Sequence, residues 1–475
     1  MPVVSISSDC DAGRRKPLGG VASLAAAVLL LLWPAWHNGY PLVFSDTGTY
    51  LTQIVERHLG WDRPMFYSLA ILPLHLTLTN WPVVVAQAVL TVYLLCVTLR
   101  VVVGTVQHLG ALTAALSVLT ALPWVTSELI PDFSTPLLVL VLTLLVVLPD
   151  RLTRREGWGL ALLGAMLMAV HLSNVLLAPL LLAVLLPMRR LLGARRPLAR
   201  LDLVRAAGPW LAAALALGTV NLIGHGRFSL SPYGSVFVLT RSLYDGPAMD
   251  VLRRHCPQAG WRLCILVPDG LPASPDEFLW RRSSPLQRVG GPKQIAGEAK
   301  AILLTALHEE PRAMLWSALS DTFRQLGMVA TGDGLQPWPE TVTPVIHRDF
   351  PAAEARRYDA ALQTTGHLAV PGWLQALHTA ALLLGVAATL ASLGAALRRR
   401  HPVAGLCAAT LVCLLANAAV TGALSGPHDR YQSRVAWLVV FAPLTAGLAL
   451  RQHNPGVKFN RSPDRAPEDV AAHTA

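Results

Sequence analysis

The chain has 475 residues, of which 53% are hydrophobic and only 14% charged, and its mean hydropathy is +0.47. Soluble globular proteins usually carry about 25% charged residues, so this composition argues against a soluble domain and predicts a helical membrane protein. The formal net charge is +11. The basic residues cluster in short segments between apolar runs, as the positive-inside rule requires, so we expect no nucleic-acid partner.

The first apolar run, residues 18–36, follows the basic triplet at positions 14–16 and lacks a small-residue cleavage pattern. We therefore expect a cytoplasmic tail (1–17), an uncleaved first helix and a first outer loop (37–80) that carries Asp46. Residues 65–79 are apolar but short. If they crossed the membrane, every later arginine cluster would change sides, so they predict a juxtamembrane or re-entrant helix instead.

The next runs predict crossings at 81–103, 109–126 and 134–148, with a short acidic outer loop that holds Glu128 and Asp132. The run 158–187 is interrupted at 171–174 and has arginines at both ends. Both ends should then lie inside, which predicts a hairpin of two short helices with His171 at its outward tip. A crossing at 203–223 completes an N-terminal transmembrane module, 18–223.

Residues 224–371 contain no spanning run and carry balanced charges, so we expect an extracytoplasmic loop subdomain with one long helix over 292–326. Cys256 and Cys264 lie eight apart in this segment. In an oxidising compartment they would form a local disulfide, and the alternative is two unpaired thiols.

The C-terminal transmembrane helices (372–450) comprise runs at 373–397, 403–424 and 435–450, followed by a cytoplasmic tail, 451–475. An outer loop before the last run carries His428, Arg430 and Arg434. The whole pattern predicts an all-α polytopic membrane protein with about ten transmembrane helices, both termini being cytoplasmic. We expect a multi-pass protein of the bacterial inner membrane whose active face is outward.

Asp46 is the first candidate for chemistry, because it follows a span and lies among small residues. Its carboxylate could act as general base for an acceptor hydroxyl or hold a divalent cation. Alternatively, Ser45 or Asp46 caps the helix that runs through Tyr50. Arg430 and Arg434 suit an anion, or else snorkel at the start of the last helix.

The alternative interpretation of the other charged residues on the outer face is that they are ordinary solvated loop residues. His171 either orients a phosphate or satisfies the backbone at the hairpin tip.

Several short motifs form one pattern: Asp46 with Tyr50, the segment from Arg63 to Tyr67, Glu128 and Asp132, His171, and Arg430 with Tyr431. This pattern resembles the C-type (GT-C) membrane glycosyltransferases, including the protein mannosyltransferase and aminoarabinose transferase groups. The resemblance covers about residues 18–187 and 420–450. Two positions depart from it: Thr47 follows Asp46 where many members have a second acid, and His171 stands where the family often has Lys.

The resemblance implies transfer of a hexosyl or pentosyl group from a polyprenyl-phosphate-linked donor to a glycan, lipid or protein acceptor. Asp46 would be the base or would position the acceptor, a divalent cation is possible, and the large loop would cover the site and select the acceptor. The implied substrate-binding residues are Arg63, Tyr67, Glu128, Asp132, His171, His428, Arg430 and Arg434.

Two other classes stay open: a transporter or flippase of a lipid-linked anion, and a non-catalytic scaffold. A transporter needs ionisable groups near the bilayer midplane on several helices, whereas these spans are almost free of charge, which favours an enzyme. A scaffold predicts no cleft that joins Asp46 to Arg430.

Overall fold

The computed structural model describes residues 17–192 and 199–452. Within these ranges the secondary structure is helical, apart from one isolated bridge between Leu42 and Glu128. The N-terminal helices are α1 (Pro17–Asn38), α2 (Thr47–Thr52), α3 (Met65–His75), α4 (Trp81–Val103), α5 (Leu109–Leu119), α6 (Leu122–Ser127), α7 (Ser134–Val147), α8 (Arg154–Val170), α9 (Leu172–Leu191) and α10 (Arg200–His225). The helices that follow are α11 (Gly234–Asp245), α12 (Pro247–His255), α13 (Leu266–Asp269), α14 (Pro275–Trp280), α15 (Pro285–Arg288), α16 (Gly291–Glu309), α17 (Pro311–Gly327), α18 (Thr343–Asp349), α19 (Ala352–Asp359), α20 (Gly372–Arg398), α21 (Val403–Leu424), α22 (Asp429–Ala436) and α23 (Leu438–Gln452).

Seven helical segments of the described chain are long and apolar enough to cross a membrane, which identifies an integral, multi-pass membrane protein. Apolar segments that are shorter than a full span occur at Met65–His75, Leu109–Leu119 and Pro131–Val147. The seven lie in α1, α4, α9, α10, α20 and α21 and in the continuous run of α22 and α23.

Three predicted elements differ locally from the structure. The predicted hairpin tip at 171–174 is His171 alone, since Ser173 and Asn174 already belong to α9. The flanking helices α8 and α9 have 17 and 20 residues and so are longer than expected. The run 109–126 is divided into α5 and α6, and the predicted helix 292–326 is divided into α16 and α17. Each of these two breaks immediately precedes a proline near the start of the next helix, where the missing N–H costs no hydrogen bond.

The central helix of the core is α7, all of whose residues are buried. It packs against α4, α8, α9, α10 and α21. A helix that is apolar on every side is stable only inside such a bundle. Asp132 lies in the turn that leads into α7, so the most enclosed part of the fold fixes its position.

The predicted loop subdomain has two structurally different parts. Its first part has a core of its own, which includes Val236, Leu252, Phe278 and Ile302 and is closed by a disulfide between Cys256 and Cys264. The later residues 342–361 instead contribute apolar side chains to the core of the transmembrane helices. The second part of the loop is therefore joined to the membrane-spanning body.

Candidate functional site

A cavity of about 300 Å³ lies between the first outer loop, the His171 turn, α11 and the end of α21. Asp46, Arg63, Asp132, His171 and Arg430 all line it. Four segments of the chain therefore meet at one place. A non-catalytic scaffold does not require a cleft that joins Asp46 to Arg430.

Asp46 occupies the N-cap position of α2, but its carboxylate makes no capping hydrogen bond. Instead, one Arg63 guanidinium nitrogen donates to Asp46 Oδ1 at 2.6 Å, and an Arg430 nitrogen lies 3.6 Å from Oδ2. The Thr47 hydroxyl accepts the backbone N–H of Phe44 at 2.9 Å. The capping role considered for Asp46 is therefore wrong for its side chain, which faces the cavity.

The two arginines decide the protonation of Asp46. Burial acts to raise the pKa of this carboxyl, but the charges of Arg63 and Arg430 outweigh burial and hold the pKa below its ordinary value. Asp62, 3.4 Å from Arg63, has the opposite net shift because burial raises its pKa more than Arg63 lowers it. Asp46 is therefore the carboxylate that stays ionised, as a general base requires.

A second ion cluster lies beneath the cavity. The Arg434 side chain is fully buried and donates to Asp132 Oδ1 at 2.5 Å, to the Asn417 side-chain oxygen at 2.9 Å and to the Ser173 hydroxyl at 3.1 Å. His171 Nε2 lies 3.0 Å from the same Asp132 oxygen. A buried charge requires this degree of pairing, so Arg434 has a structural part in the site.

His171 joins this ion cluster to α9. Its Nδ1 accepts the backbone N–H of Ser173 at 3.3 Å, and its Nε2 lies 3.0 Å from Asp132 Oδ1 and 2.8 Å from an Arg434 nitrogen. Burial and the neighbouring Arg434 charge lower the pKa of His171 to about 4 despite Asp132. The ring is thus neutral at physiological pH. It accepts a backbone N–H at the tip of the hairpin and contacts the Asp132 carboxylate.

Arg430 lies between the carboxylates of Asp46 and Asp132. Its guanidinium is 3.6 Å from Asp46 and 3.8 Å from Asp132, and its planar face lies 4.1 Å from the centre of the Phe44 ring. Its backbone N–H donates to Asp333 Oδ2 at 3.1 Å. Arg430 Nε and Asp132 Oδ2 are buried without a hydrogen-bond partner. Unpaired buried polar atoms beside a cavity are suited to a polar ligand.

Apolar side chains line the cavity together with these charged groups. Leu176, Val420, Leu424, Phe237 and Val238 line it. Leu176 and Leu424 are 37% and 40% exposed and belong to α9 and α21, two of the candidate spans. The cavity therefore combines cations and a carboxylate with apolar side chains, two of which belong to candidate spans.

The remaining predicted residues lie outside this cavity. Tyr67 is buried behind it and donates to the Gln87 side-chain oxygen at 2.7 Å. Glu128 lines a smaller neighbouring cavity, where burial and the Asp132 charge raise its pKa. The His428 backbone is bonded to Gln325, and its ring packs edge-on against Tyr431. Glu128 and Asp132 are buried, so they are not the solvated loop charges that the sequence also allowed.

Several residues of the site had no role assigned to them from the sequence. Asp62 and Tyr50 line the cavity, Asn417 holds Arg434, and Asp333 accepts the Arg430 N–H. Asn417 was detectable in principle, as an amide in the middle of an apolar span. Trp280 had no such signal: it comes from the loop subdomain and lies 5.6 Å from the Arg63 guanidinium.

The donor set does not fit a divalent cation. In the described residues no group of three or more His, Cys, Asp or Glu side chains is arranged to hold one. The three carboxylates of the cavity, Asp46, Asp62 and Asp132, are instead paired with arginines. These pairs offset the negative charge that would attract a cation.

No protein-family model, curated protein or solved structure matches this chain. The cavity and its chemistry therefore carry the functional argument.

Proposed function

We propose that this protein is a membrane glycosyltransferase that moves a sugar from a polyprenyl-phosphate-linked donor to a hydroxyl acceptor. The observation that carries the proposal is the mixed lining of one cavity, which includes Asp46, Arg63 and Arg430 as well as the apolar side chains of Leu176 and Leu424. A lipid-linked phosphosugar likewise combines an anionic head with an apolar chain. Guanidinium groups bind phosphate with two hydrogen bonds, which suits Arg430 and Arg63.

The proposed step is an inverting displacement. Asp46 takes the proton of the acceptor hydroxyl, whose oxygen forms a bond to the anomeric carbon. The bond from that carbon to the phosphate oxygen breaks, and the polyprenyl phosphate that leaves carries the electron pair beside Arg430. Asp46 pairs with both arginines in this structure, and a phosphate would compete with it for them. That competition would free the carboxylate as the donor binds.

The proposed membrane arrangement adds α5 with α6, α7 and α8 to the seven long segments, which gives the ten expected crossings. Residues 224–371 then lie outside, and the cavity opens on the outer face of a bacterial inner membrane. The contact of Trp280 with Arg63 supports a covering role for the loop. The disulfide in the same loop is consistent with an oxidising compartment.

The first test is binding of polyprenyl monophosphate to the purified full chain in nanodiscs, with polyprenol as the uncharged comparison. We expect polyprenyl monophosphate to bind and polyprenol not to bind. Arg430→Gln should weaken binding of polyprenyl monophosphate about tenfold or more, because a charge-assisted hydrogen bond contributes about 1.5–3 kcal/mol. Arg254→Gln is the control, since Arg254 is half exposed on the loop subdomain, outside the cavity. Equal binding by all three proteins would contradict the proposal.

The second test is turnover in proteoliposomes with radiolabelled polyprenyl-phosphate hexoses and pentoses and a mixture of glycan and lipid acceptors. Transfer of label to an acceptor supports the enzyme. Movement of the intact donor across the bilayer without transfer of label would contradict the enzyme and identify a transporter instead.

A further inference from the structure

Helix α17 has its polar and apolar faces reversed relative to a helix of a soluble domain. Ser317, Asp321 and Gln325, spaced four residues apart, are its buried side chains. Its large apolar residues are exposed instead, at 62% for Leu315, 74% for Trp316, 43% for Leu319 and 70% for Phe323. A helix on a water-facing domain buries its apolar stripe. An apolar patch of this kind marks a surface that something other than water covers.

The buried polar face has specific partners that hold the helix in this orientation. Asp321 pairs with Arg241 at 3.3 Å. The Gln325 side chain bonds both the N–H and the carbonyl of His428, at 2.9 and 2.8 Å. A Cβ on Gly422 of α21 would lie 2.6 Å from the Asp321 carbonyl oxygen, so the two backbones touch. Rotation of α17 to bury Phe323 would break all of these contacts.

α17 lies beside a helix that is itself long and apolar enough to cross a membrane. α17 packs along α21, a candidate span whose Leu415 and Leu424 are 59% and 40% exposed. Arg312 and Arg324 are exposed near the two ends of the apolar stripe. Arginines that flank apolar and aromatic side chains suit the phosphate layer of a bilayer.

We propose that α17 lies in the boundary between headgroups and acyl chains of the bilayer. Leu315, Trp316, Leu319 and Phe323 enter the apolar region, and the two arginines meet lipid phosphates. This places part of the long segment 224–371, which has no span of its own, in the membrane. The inference does not depend on the proposed transferase activity.

The position of α17 has a consequence for the cavity. Gln325 is hydrogen-bonded to the backbone of His428, two residues before Arg430. The Asp429 carboxylate, next to Arg430, accepts the backbone N–H of Ala330 at 2.8 Å. A helix anchored at the lipid surface would therefore set the height of Arg430 relative to the headgroups.

The test is a nitroxide spin label at Leu319→Cys or Phe323→Cys in the full chain, reconstituted in phosphatidylglycerol and phosphatidylethanolamine vesicles. The matched control is Lys300→Cys on α16, an exposed polar position of the loop subdomain. The unsubstituted chain supplies the background from its native thiols, and thermal unfolding in detergent checks each variant. Collision rates with oxygen, which concentrates in lipid, and with a water-soluble nickel chelate are measured for each label.

We expect the labels at 319 and 323 to collide more with oxygen than with the nickel chelate, and the label at 300 to show the reverse. Nickel collisions at 319 and 323 as frequent as at 300 would overturn the inference, because the face would then be in water. Low collision rates with both reagents would also overturn it, because another protein surface or a second copy would then cover the helix. Leu319→Cys alone decides the outcome if Phe323→Cys does not fold.

Discussion

At the scale of single residues, Asp46 gains its chemical character from two arginines of other segments. Arg63 follows 17 residues later and bonds it directly, whereas Arg430 comes from the far end of the chain. Together they hold the pKa of Asp46 below its ordinary value against the effect of burial. Each arginine also has a second carboxylate nearby, since Asp62 lies 3.4 Å from Arg63 and Asp132 lies 3.8 Å from Arg430.

Asp46→Asn should lower the turnover of sugar transfer about 10²–10⁴-fold, the usual contribution of a general base, while donor binding remains. Initial transfer rates and polyprenyl-phosphate binding in the same preparation measure this. Asp150→Asn is the matched control, because this carboxylate is 83% exposed and outside the cavity. Full activity of Asp46→Asn would remove the base role and leave the cavity without its proposed chemistry.

His171 should make the folded state sensitive to acid. Its pKa is about 4 in the folded protein and 6.5 when unperturbed, so between these values the unfolded chain binds the proton more tightly. Stability is therefore retained above pH 6.5 and falls as the pH decreases toward 4, with a loss of roughly 2 kcal/mol between pH 7 and pH 5.

Thermal unfolding in detergent at pH 7 and at pH 5 measures this loss, and His171→Gln should show a smaller decrease than the wild type. Other buried histidines titrate equally in both proteins, so the difference isolates His171. Parallel decreases in the two proteins would show that His171 is not the group responsible.

At the scale of elements, short helices hold the cavity residues through close backbone contacts. α2 carries Asp46 at its start, and a Cβ on Gly48 would lie 2.0 Å from the carbonyl oxygen of Thr341. This glycine therefore permits α2 to touch the later part of the large loop.

Gly48→Ala should destabilise the protein by about 1–3 kcal/mol, because the added methyl group must displace a backbone, and it should weaken polyprenyl-phosphate binding as Asp46 moves. Gly297→Ala on α16 is the matched control. A Cβ there meets nothing within 4 Å, so the change should be neutral or stabilise by up to about 1 kcal/mol. Thermal unfolding and binding of both variants decide the matter, and equal effects would show that the close contact at Gly48 is unimportant.

The breaks between α5 and α6, between α16 and α17, and at His171 differ in whether the local sequence contains a signal for them. Pro123 and Pro311 each stand one or two residues inside a new helix and end the preceding one, a signal present in the sequence itself. The break at His171 has no proline. Asn174 remains in α9 because its amide donates to the Leu167 carbonyl at 2.7 Å and to the Ser134 hydroxyl at 2.9 Å, and only the packed structure supplies those partners.

At the scale of the whole molecule, the arrangement of arginines predicts which segments lie on each side of the membrane. Lys300→Cys, in the large loop, should react with an impermeant maleimide in intact cells. Arg398→Cys, in the basic cluster after α20, should react only after permeabilisation. Gel-shift or mass detection of the labelled protein measures both, and the reverse pattern would invert the proposed topology.

The sequence by itself determined the class of the protein. Apolar runs such as 403–424 and the clustered arginines between runs act locally, since each run must satisfy its own backbone in lipid, so membrane class and most helix positions follow without tertiary contacts. It also singled out Asp46, His171, Arg430 and Arg434, because charges beside apolar runs are costly.

The tertiary structure alone decided how these residues are used. It separated Asp46 and Arg430, which face the cavity, from Arg434, which is buried beneath it, and it turned α17 outward through Arg241 and Gln325. None of these pairings has a fixed spacing along the chain. They depend on which distant loops the packed helices bring within hydrogen-bond distance, and local hydrophobicity does not encode that.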